Sequence, residues 1–437
     1  MTPVGCSPRC TDSPVAASWL IGAGGCRAVR ADRPDQRQQV IVVGAGPAGS
    51  ATAYHLARAG VSTLLIDKSA FPRDKVCGDC LSPRAQQALA ELECLDAVVA
   101  EAHQATRIHF RAPGGAEAET AISGEGALPN RTLVLPRRRF DHLLQQQALA
   151  AGARFRVGHV RALCPSGGVE LEGERLSARL VVIATGAALS LIKHTPLAPS
   201  GPVHSIAARC YLPAMPPPGP DLRFFFDHLP LPGYAWLFPT GPNSANLGYW
   251  YSGAEGVSAT AQLSRLLAEH PTLSQLSANG QAASAIAGYP IRSDFLRAPT
   301  RADGLLAVGE AAGLVNPFTG EGIDYALESA PLAAASILGA LRQAPAEGPL
   351  LAAALAGYSG SLRERFRSLF LLMQLAQRHA FTPWVFDRLF GRGAQGQRLV
   401  DTLIQVCFGA APPRRVLAPV EWLRLLTSRP ASVRRDG

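Results

Sequence analysis

Two glycine-rich segments carry the plainest chemistry in this chain. Gly44-Ala45-Gly46-Pro47-Ala48-Gly49 follows the apolar run at residues 40–43 and opens a helical stretch over 50–59. Such a strand, tight turn and helix start can seat a pyrophosphate, because unsatisfied backbone N–H groups face outward at a helix N-terminus. Thr63-Leu64-Leu65-Ile66 reads as a second buried strand ending in Asp67, followed by Lys68. A carboxylate about 20 residues past the fingerprint is where a ribose hydroxyl needs an acceptor; the plainer alternative is a strand-end cap. The second glycine segment, Gly309-Glu310-Ala311-Ala312-Gly313, ends the apolar run at 305–308 and puts the Glu310 carboxylate where ribityl hydroxyls could donate to it. Together the two segments read as the ends of one FAD site.

Further along, Gly320-Glu321-Gly322-Ile323 opens a helix expected over 324–335. Its N-terminal dipole would favour negative charge on a reduced flavin by up to about 2 kcal/mol, and a simple turn before an Ala-rich core helix is the alternative. Tyr234, Trp236 and Phe238 alternate along a strand and so share one face, either as sheet core or as a cavity wall. Cys77 stands in a Cys-x-x-Cys spacing with Cys80. Such a cysteine is ordinarily a small buried hydrophobe, and a redox pair is the rival reading.

The elements that must position these groups are those of an α/β fold. Residues 40–43, 63–66 and 180–185 are parallel-type apolar runs of a doubly wound, Rossmann-like sheet. Residues 108–135 and 203–251 alternate apolar and polar positions, with Pro216-Pro217-Pro218-Gly219-Pro220 as a loop signal, and predict a separate antiparallel sheet. The expected plan is an FAD-binding domain over 39–340, interrupted by substrate-domain segments at about 105–135 and about 200–295, then a basic helical region over 341–437. Residues 1–38 have no usable periodicity and read as a disordered tail or a wrongly assigned start.

Composition limits the rest. The chain has 437 residues and a net charge of +9, with no apolar run of the roughly 18 residues a membrane span requires. The nine cysteines are scattered without metal-ligand spacing, so no metal site is expected and a cytoplasmic setting is the default. Thirteen arginines against five acidic residues fall in 361–437, interleaved with Phe366, Phe370, Phe381, Trp384 and Phe386. Such basic amphipathic helices suit an anionic lipid surface, a pyrophosphate or an acidic carrier protein; a solvated face over a core is the alternative. No nucleic-acid motif accompanies the charge.

Three motifs together carry a family resemblance. Phe71-Pro72-Arg73-Asp74-Lys75-Val76-Cys77-Gly78 with Leu81-Ser82-Pro83 is similar to a signature of the geranylgeranyl reductase family of FAD-dependent oxidoreductases. Tyr234-Ala235-Trp236-Leu237-Phe238-Pro239 resembles its Tyr-x-Trp-x-Phe-Pro motif, and 309–323, including Pro317, resembles its C-terminal flavin motif. The resemblance implies hydride delivery from reduced FAD to carbon–carbon double bonds of an isoprenoid or polyene, with a hydrophobic small-molecule or carrier-bound substrate. It places Lys75, Cys77 and Gly78 near the flavin. The Lys75 cation beside Cys77 would lower its pKa and favour the thiolate, and the roles open to Cys77 are substrate positioning or, as a thiol, proton donation after hydride transfer. The resemblance assigns Arg137, with Arg138 and Arg139 as rivals, to cofactor contact, and makes Tyr234, Trp236, Phe238 and Pro317 the substrate lining.

Glu310 departs from the family's usual Asp by one methylene. No second dinucleotide fingerprint follows residue 186, so NAD(P)H would dock transiently, and a ferredoxin-like donor is the other option. The parent group also holds aromatic monooxygenases and halogenases. Halogenases use a Trp-x-Trp-x-Ile-Pro motif beside a lysine, which this chain lacks. A non-catalytic flavin-binding protein would need neither Cys77 nor the aromatic strand.

Overall fold

The computed structural model describes residues 38–415 except 125–127, 165–166, 200–204, 214, 216–218, 254–255, 278–283, 345–347 and 391–392. The expectations for residues 1–37, for the proline run at 216–218 and for the basic segment 416–437 therefore lie outside the described residues.

Continuous apolar runs suit strands covered on both faces. Gln38–Val43 and Ala178–Ile183 pair in parallel at the centre of a six-stranded sheet, with Val40, Ile41, Val42, Leu180, Val182 and Ile183 wholly buried. Thr63–Asp67 and then Arg154–Val157 extend it in parallel on one side, and Leu305–Ala307 on the other. Helices Pro47–Arg58, Arg137–Ala150 and Ile323–Gln343 pack together over this sheet.

A second, seven-stranded sheet runs in the order Ala287–Ile291, Ser205–Leu212, Ser244–Tyr251, Gly233–Gly241, Leu222–Phe225, Arg107–Arg111, Glu117–Ala121. It is antiparallel throughout apart from the parallel pair Leu222–Phe225 with Arg107–Arg111. One expectation needs correction here. Thr132–Val134 does not join this sheet; it pairs instead with Cys80–Leu81 and His103–Ala105. That small sheet ties the Cys77 segment to the start of helix Arg137–Ala150. A further meander, Val160–Leu163, Val169–Leu171 and Glu174–Leu176, was not anticipated from the sequence.

Helix Ala356–His379 packs on helix Ile323–Gln343, and helices Pro383–Phe390 and Gly393–Cys407 pack against the seven-stranded sheet near its Arg107–Ala121 edge. Phe386 stacks on Phe226 with ring centres 4.3 Å apart, and Phe390 stacks on Phe110 at 5.5 Å. Asp401 accepts a hydrogen bond from the Thr120 hydroxyl at 2.5 Å and Asp387 one from the Gly114 N–H at 2.9 Å, fastening the last two helices to the hairpin of residues 107–121. Among the described residues no helix is long and apolar enough to cross a membrane.

Candidate active site

One cavity of about 1200 Å³ runs from the first glycine turn to the C-terminal helices. Pockets for a single ligand commonly hold about 300–1,000 Å³, so this one has space for a cofactor and a second molecule.

Its polar end is built on the first strand–turn–helix unit. Gly44 has φ +103°, and a Cβ there would lie 2.3 Å from the Ala184 carbonyl oxygen. The turn therefore closes only on glycine. Helix Pro47–Arg58 starts at Gly46 with no side-chain cap, leaving first-turn N–H groups without an intrahelical acceptor. Gly46, Pro47 and Ala48 line the cavity. A Cβ on Gly46 would meet only the Arg73 and Arg137 guanidinium groups, at 3.7 and 3.8 Å. An open helix N-terminus under two cations is a cradle for a diphosphate.

Both cations are held by Asp141, which is wholly buried. Arg137 is bidentate to it at 2.6 and 2.8 Å, and Arg73 reaches it at 2.9 Å. The sequence left Arg137 with two rivals. The structure separates them, since Arg138 and Arg139 are exposed and Arg139 pairs with Glu101 at 2.7 Å. Arg73 and Asp141 were not singled out from the sequence, although Arg73 lies inside the quoted motif at 71–78 and Asp141 is four residues past Arg137. The i,i+4 spacing of Arg137 and Asp141 was the available signal.

Asp67 ends its strand on the cavity wall with Lys68 beside it. One Asp67 oxygen accepts from the Ala45 N–H at 2.9 Å and from Arg73 at 3.4 Å, and the other from the Ser69 N–H at 3.0 Å; a carboxylate offers about four lone-pair directions, so capacity remains for a ribose hydroxyl. Glu310 also lines the cavity, with Oε1 accepting from the Arg292 N–H at 3.2 Å. Arg292 itself is buried and locks the glycine loop by donating to the Ala311 carbonyl at 2.6 Å. These residues fit FAD, with diphosphate at the helix start and sugar hydroxyls along the two strand-end carboxylates.

The middle of the cavity is lined by Lys75, Cys77 and Gly78, by Gly320, Gly322 and Ile323, and by Tyr234, Trp236 and Phe238. A Cβ on Gly78 would lie 3.2 Å from the Phe238 ring and 3.4 Å from Trp236 Nε1, so the cysteine segment rests directly on the aromatic strand. The three aromatics do share a face, with the opposite face, Ala235 and Leu237, in a separate core. The Tyr234 hydroxyl donates to the Thr319 carbonyl and joins the aromatic strand to the turn of Gly320 and Gly322.

A buried polar network holds Cys77 in place. Asn246 donates to the Cys77 carbonyl and to Asp79, both at 2.7 Å, while its own carbonyl accepts from Trp236 Nε1 at 2.9 Å. The Tyr211 hydroxyl donates to Asp79 at 2.7 Å. Burial raises Asp79 to about 6. Asp79, Tyr211 and Asn246 had no local signal in the sequence, because three separate segments supply them.

Several expectations change. Pro317 is buried away from the cavity, because Asn316 caps the N–H groups of Phe318 and Thr319 at 2.9 and 3.3 Å and turns Phe318 inward instead. Gly49 and Gly309 do not line the cavity. A Cβ on Gly49 would lie 1.8 Å from the Gly44 oxygen and one on Gly309 2.7 Å from the Ala48 Cβ, so both serve close packing. The expected Cys77 thiolate is not supported either. Burial pushes the Cys77 thiol up, outweighing Arg137, and burial lowers Lys75, whose ammonium lies 3.4 Å over the Tyr289 ring. Cys77 and Cys80 are both free thiols.

Beyond the aromatic strand the lining turns aliphatic and aromatic, with Leu372, Met373, Phe381, Phe386 and Phe408 from the C-terminal helices. Leu375 lines the cavity while 52 % exposed, which marks a mouth on helix Ala356–His379.

Residues 37–188 match the family described as FAD binding domain. The chain is 33% identical over 346 residues to digeranylgeranylglycerophospholipid reductase 1 of Methanopyrus kandleri, covering 76% of this chain and 87% of that protein. It is 32% identical over 326 residues to menaquinone reductase of Mycobacterium tuberculosis, covering 69% and 76%. Its fold matches a geranylgeranyl bacteriochlorophyll reductase-like protein from Thermoplasma acidophilum with a TM-score of 0.74 at 22% identity, over 90% of this chain and 98% of that one. The chain thus belongs to the geranylgeranyl reductase family of FAD-dependent oxidoreductases.

Proposed function

We propose that the protein reduces carbon–carbon double bonds in an isoprenoid or polyene chain. The observation that carries this reading is the continuity of one cavity from a diphosphate cradle to a deep apolar chamber, with the Cys77 segment and the aromatic strand where the two meet. Two relatives are named as reductases of a menaquinone and of a digeranylgeranyl lipid, in keeping with a long prenylated substrate.

FAD, when bound and reduced, supplies a hydride. The chain's own residues do the rest. The Gly46 helix start with Arg73 and Arg137 anchors the diphosphate, and Asp67 and Glu310 are placed for sugar hydroxyls. Helix Ile323–Gln343 starts at the Gly320–Gly322 turn and presents its positive end to the cavity there. Tyr234, Trp236 and Phe238 exclude water and hold the double bond against the Cys77 segment. We read NAD(P)H as a transiently docking electron donor.

Entry is through the mouth beside Leu375. Leu371 and Trp384 are exposed nearby in sequence, and Arg388 stacks on Trp384 at 5.0 Å. A cytoplasmic protein resting this surface on an anionic membrane would admit a lipid-borne chain.

The test is anaerobic incubation of photoreduced holoenzyme with geranylgeranyl diphosphate or a menaquinone, with mass analysis of product. Gain of two hydrogens per reduced bond supports the reading. Oxygen-dependent hydroxylation of an aromatic probe, with no alkene reduction, replaces it with the monooxygenase alternative.

A further inference from the structure

Glu321 lies on the cavity wall between two glycines, in the turn that leads into helix Ile323–Gln343. Asn316 makes the turn rigid. Besides capping Phe318 and Thr319, it donates through its backbone N–H to the Glu321 carbonyl at 2.8 Å and through its amide to the Tyr325 hydroxyl at 3.2 Å. The Thr319 hydroxyl donates to the Glu321 carboxyl at 3.3 Å. Arg84 acts on Glu321 only from a distance, since its guanidinium pairs with Glu328 at 2.6 Å.

The groups facing Glu321 come from every element around it. Cys80 lies on the strand Cys80–Leu81, Tyr234 on the aromatic strand, Asp324 and Tyr325 on the helix that follows, and Cys407 at the end of helix Gly393–Cys407. Burial pushes the thiols and phenols up, so they stay neutral. Asp324 is the one close carboxylate. Burial raises it to about 6 against the pull of Arg84 and the Ser82 hydroxyl. Burial and the Asp324 charge together raise Glu321 to about 8. Burial and mutual repulsion therefore keep one proton on the pair at neutral pH, and Glu321 is the less buried member, on the cavity wall, while Asp324 is buried and bonded to the Ser82 hydroxyl.

We propose that Glu321 is the acid that protonates the alkene, with Asp324 as the positioning residue that keeps the proton there. This rests on the reductase reading above. As the π bond breaks, one carbon takes the hydride supplied by reduced FAD, and the other takes the proton of the Glu321 O–H. The products are the saturated bond, oxidised FAD and a glutamate anion, which regains its proton from solvent; a donor of the NAD(P)H class returns the two electrons. An acid serves best when its pKa lies near the working pH. Glu321 meets that condition, whereas the Cys77 thiol is pushed upward and is suited to packing the chain.

The experiment follows flavin reoxidation when prereduced, oxygen-free holoenzyme meets geranylgeranyl diphosphate or a menaquinone. Glu321→Gln should bind FAD and accept electrons at the wild-type rate, yet reoxidise about 10²–10⁴-fold more slowly with the alkene. Glu321→Asp should recover part of the rate. The wild-type rate should fall as pH rises through about 8, and the residual rate of the Gln variant should not. Reoxidation of the Gln variant at close to the wild-type rate overturns the proposal. If the wild type is reoxidised by neither probe, the substrate reading fails, and infrared titration decides about Glu321. A protonated-carboxyl band that is lost through about pH 8 and is missing in Glu321→Gln supports the acid. Absence of such a band at neutral pH overturns it.

Discussion

Arg137 stands over Gly46, its guanidinium 3.8 Å from where a Cβ would be, and beyond the adjoining residues of the chain only the Arg73 and Arg137 guanidinium groups come within 4 Å of that point. Gly46 is therefore small for the sake of what lies above it. Gly49, three residues on, is small for the sake of the turn itself, since a Cβ there would strike the Gly44 oxygen at 1.8 Å.

The two glycines should fail differently. Gly46→Val should emerge colourless, because the valine fills the diphosphate position, and should melt close to the FAD-free wild type. Gly49→Ala should lose stability by at least the roughly 1–3 kcal/mol of an overpacked core. Absorbance of bound flavin and thermal unfolding of each variant check this. Full FAD occupancy in Gly46→Val would remove the cradle from that turn.

Asp141 holds two arginines out of water, so its loss should be felt twice. Removing one member of a buried ion pair costs about 3–5 kcal/mol, because the partner is left charged and uncompensated. Asp141→Ala should lower stability by that order in urea unfolding and weaken FAD binding as Arg73 and Arg137 reorient. A variant with unchanged stability would mean that water replaces the carboxylate.

The pH dependence of stability has a defined sign. Glu321 moves from 4.5 to about 8 on folding and Asp324 from 3.8 to about 6. Between the two values the folded protein binds more protons than the unfolded chain, so this stability is full at the acid end and is lost as pH rises through the folded value. Asp79, raised to about 6, acts in the same direction. Asp227 is lowered and acts oppositely, but in the more acidic range. Melting temperature of the holoenzyme from about pH 5 to about pH 8 should decline more steeply in wild type than in Glu321→Gln. Parallel slopes would place the Glu321 pKa near its ordinary value.

The proposed membrane surface predicts salt-sensitive binding. Flotation with anionic vesicles should fall as ionic strength rises, because exposed charges are screened over about 8 Å at physiological salt. Trp384→Ser should weaken it further without affecting bound FAD, since Trp384 is 53 % exposed. Equal flotation with neutral vesicles would attribute binding to the apolar residues alone.

Much of the scaffold was legible because local pattern and tertiary role coincide. The run at 40–43 is apolar at every position and forms a strand buried on both faces, and the Tyr234–Trp236–Phe238 alternation states a shared face before any partner is known. The polar meander at 160–176 has no such pattern, and its short strands escaped notice. Asp79 and Asn246 were illegible for a different reason: each is an ordinary residue until the fold brings it beside Cys77. Pro317 misled because a motif names neighbours without saying which side of a turn each faces.

The chamber is completed by residues far apart in the chain. The cofactor cradle and glycine loops are all in place by Asp324, whereas the apolar end waits for Gly393–Cys407, held to the hairpin by Thr120 and Asp401. Every residue of the cradle thus emerges from the ribosome before the helix that closes the oily end, so a change in that helix would open the apolar chamber to water and leave the cofactor end of the cavity as it stands.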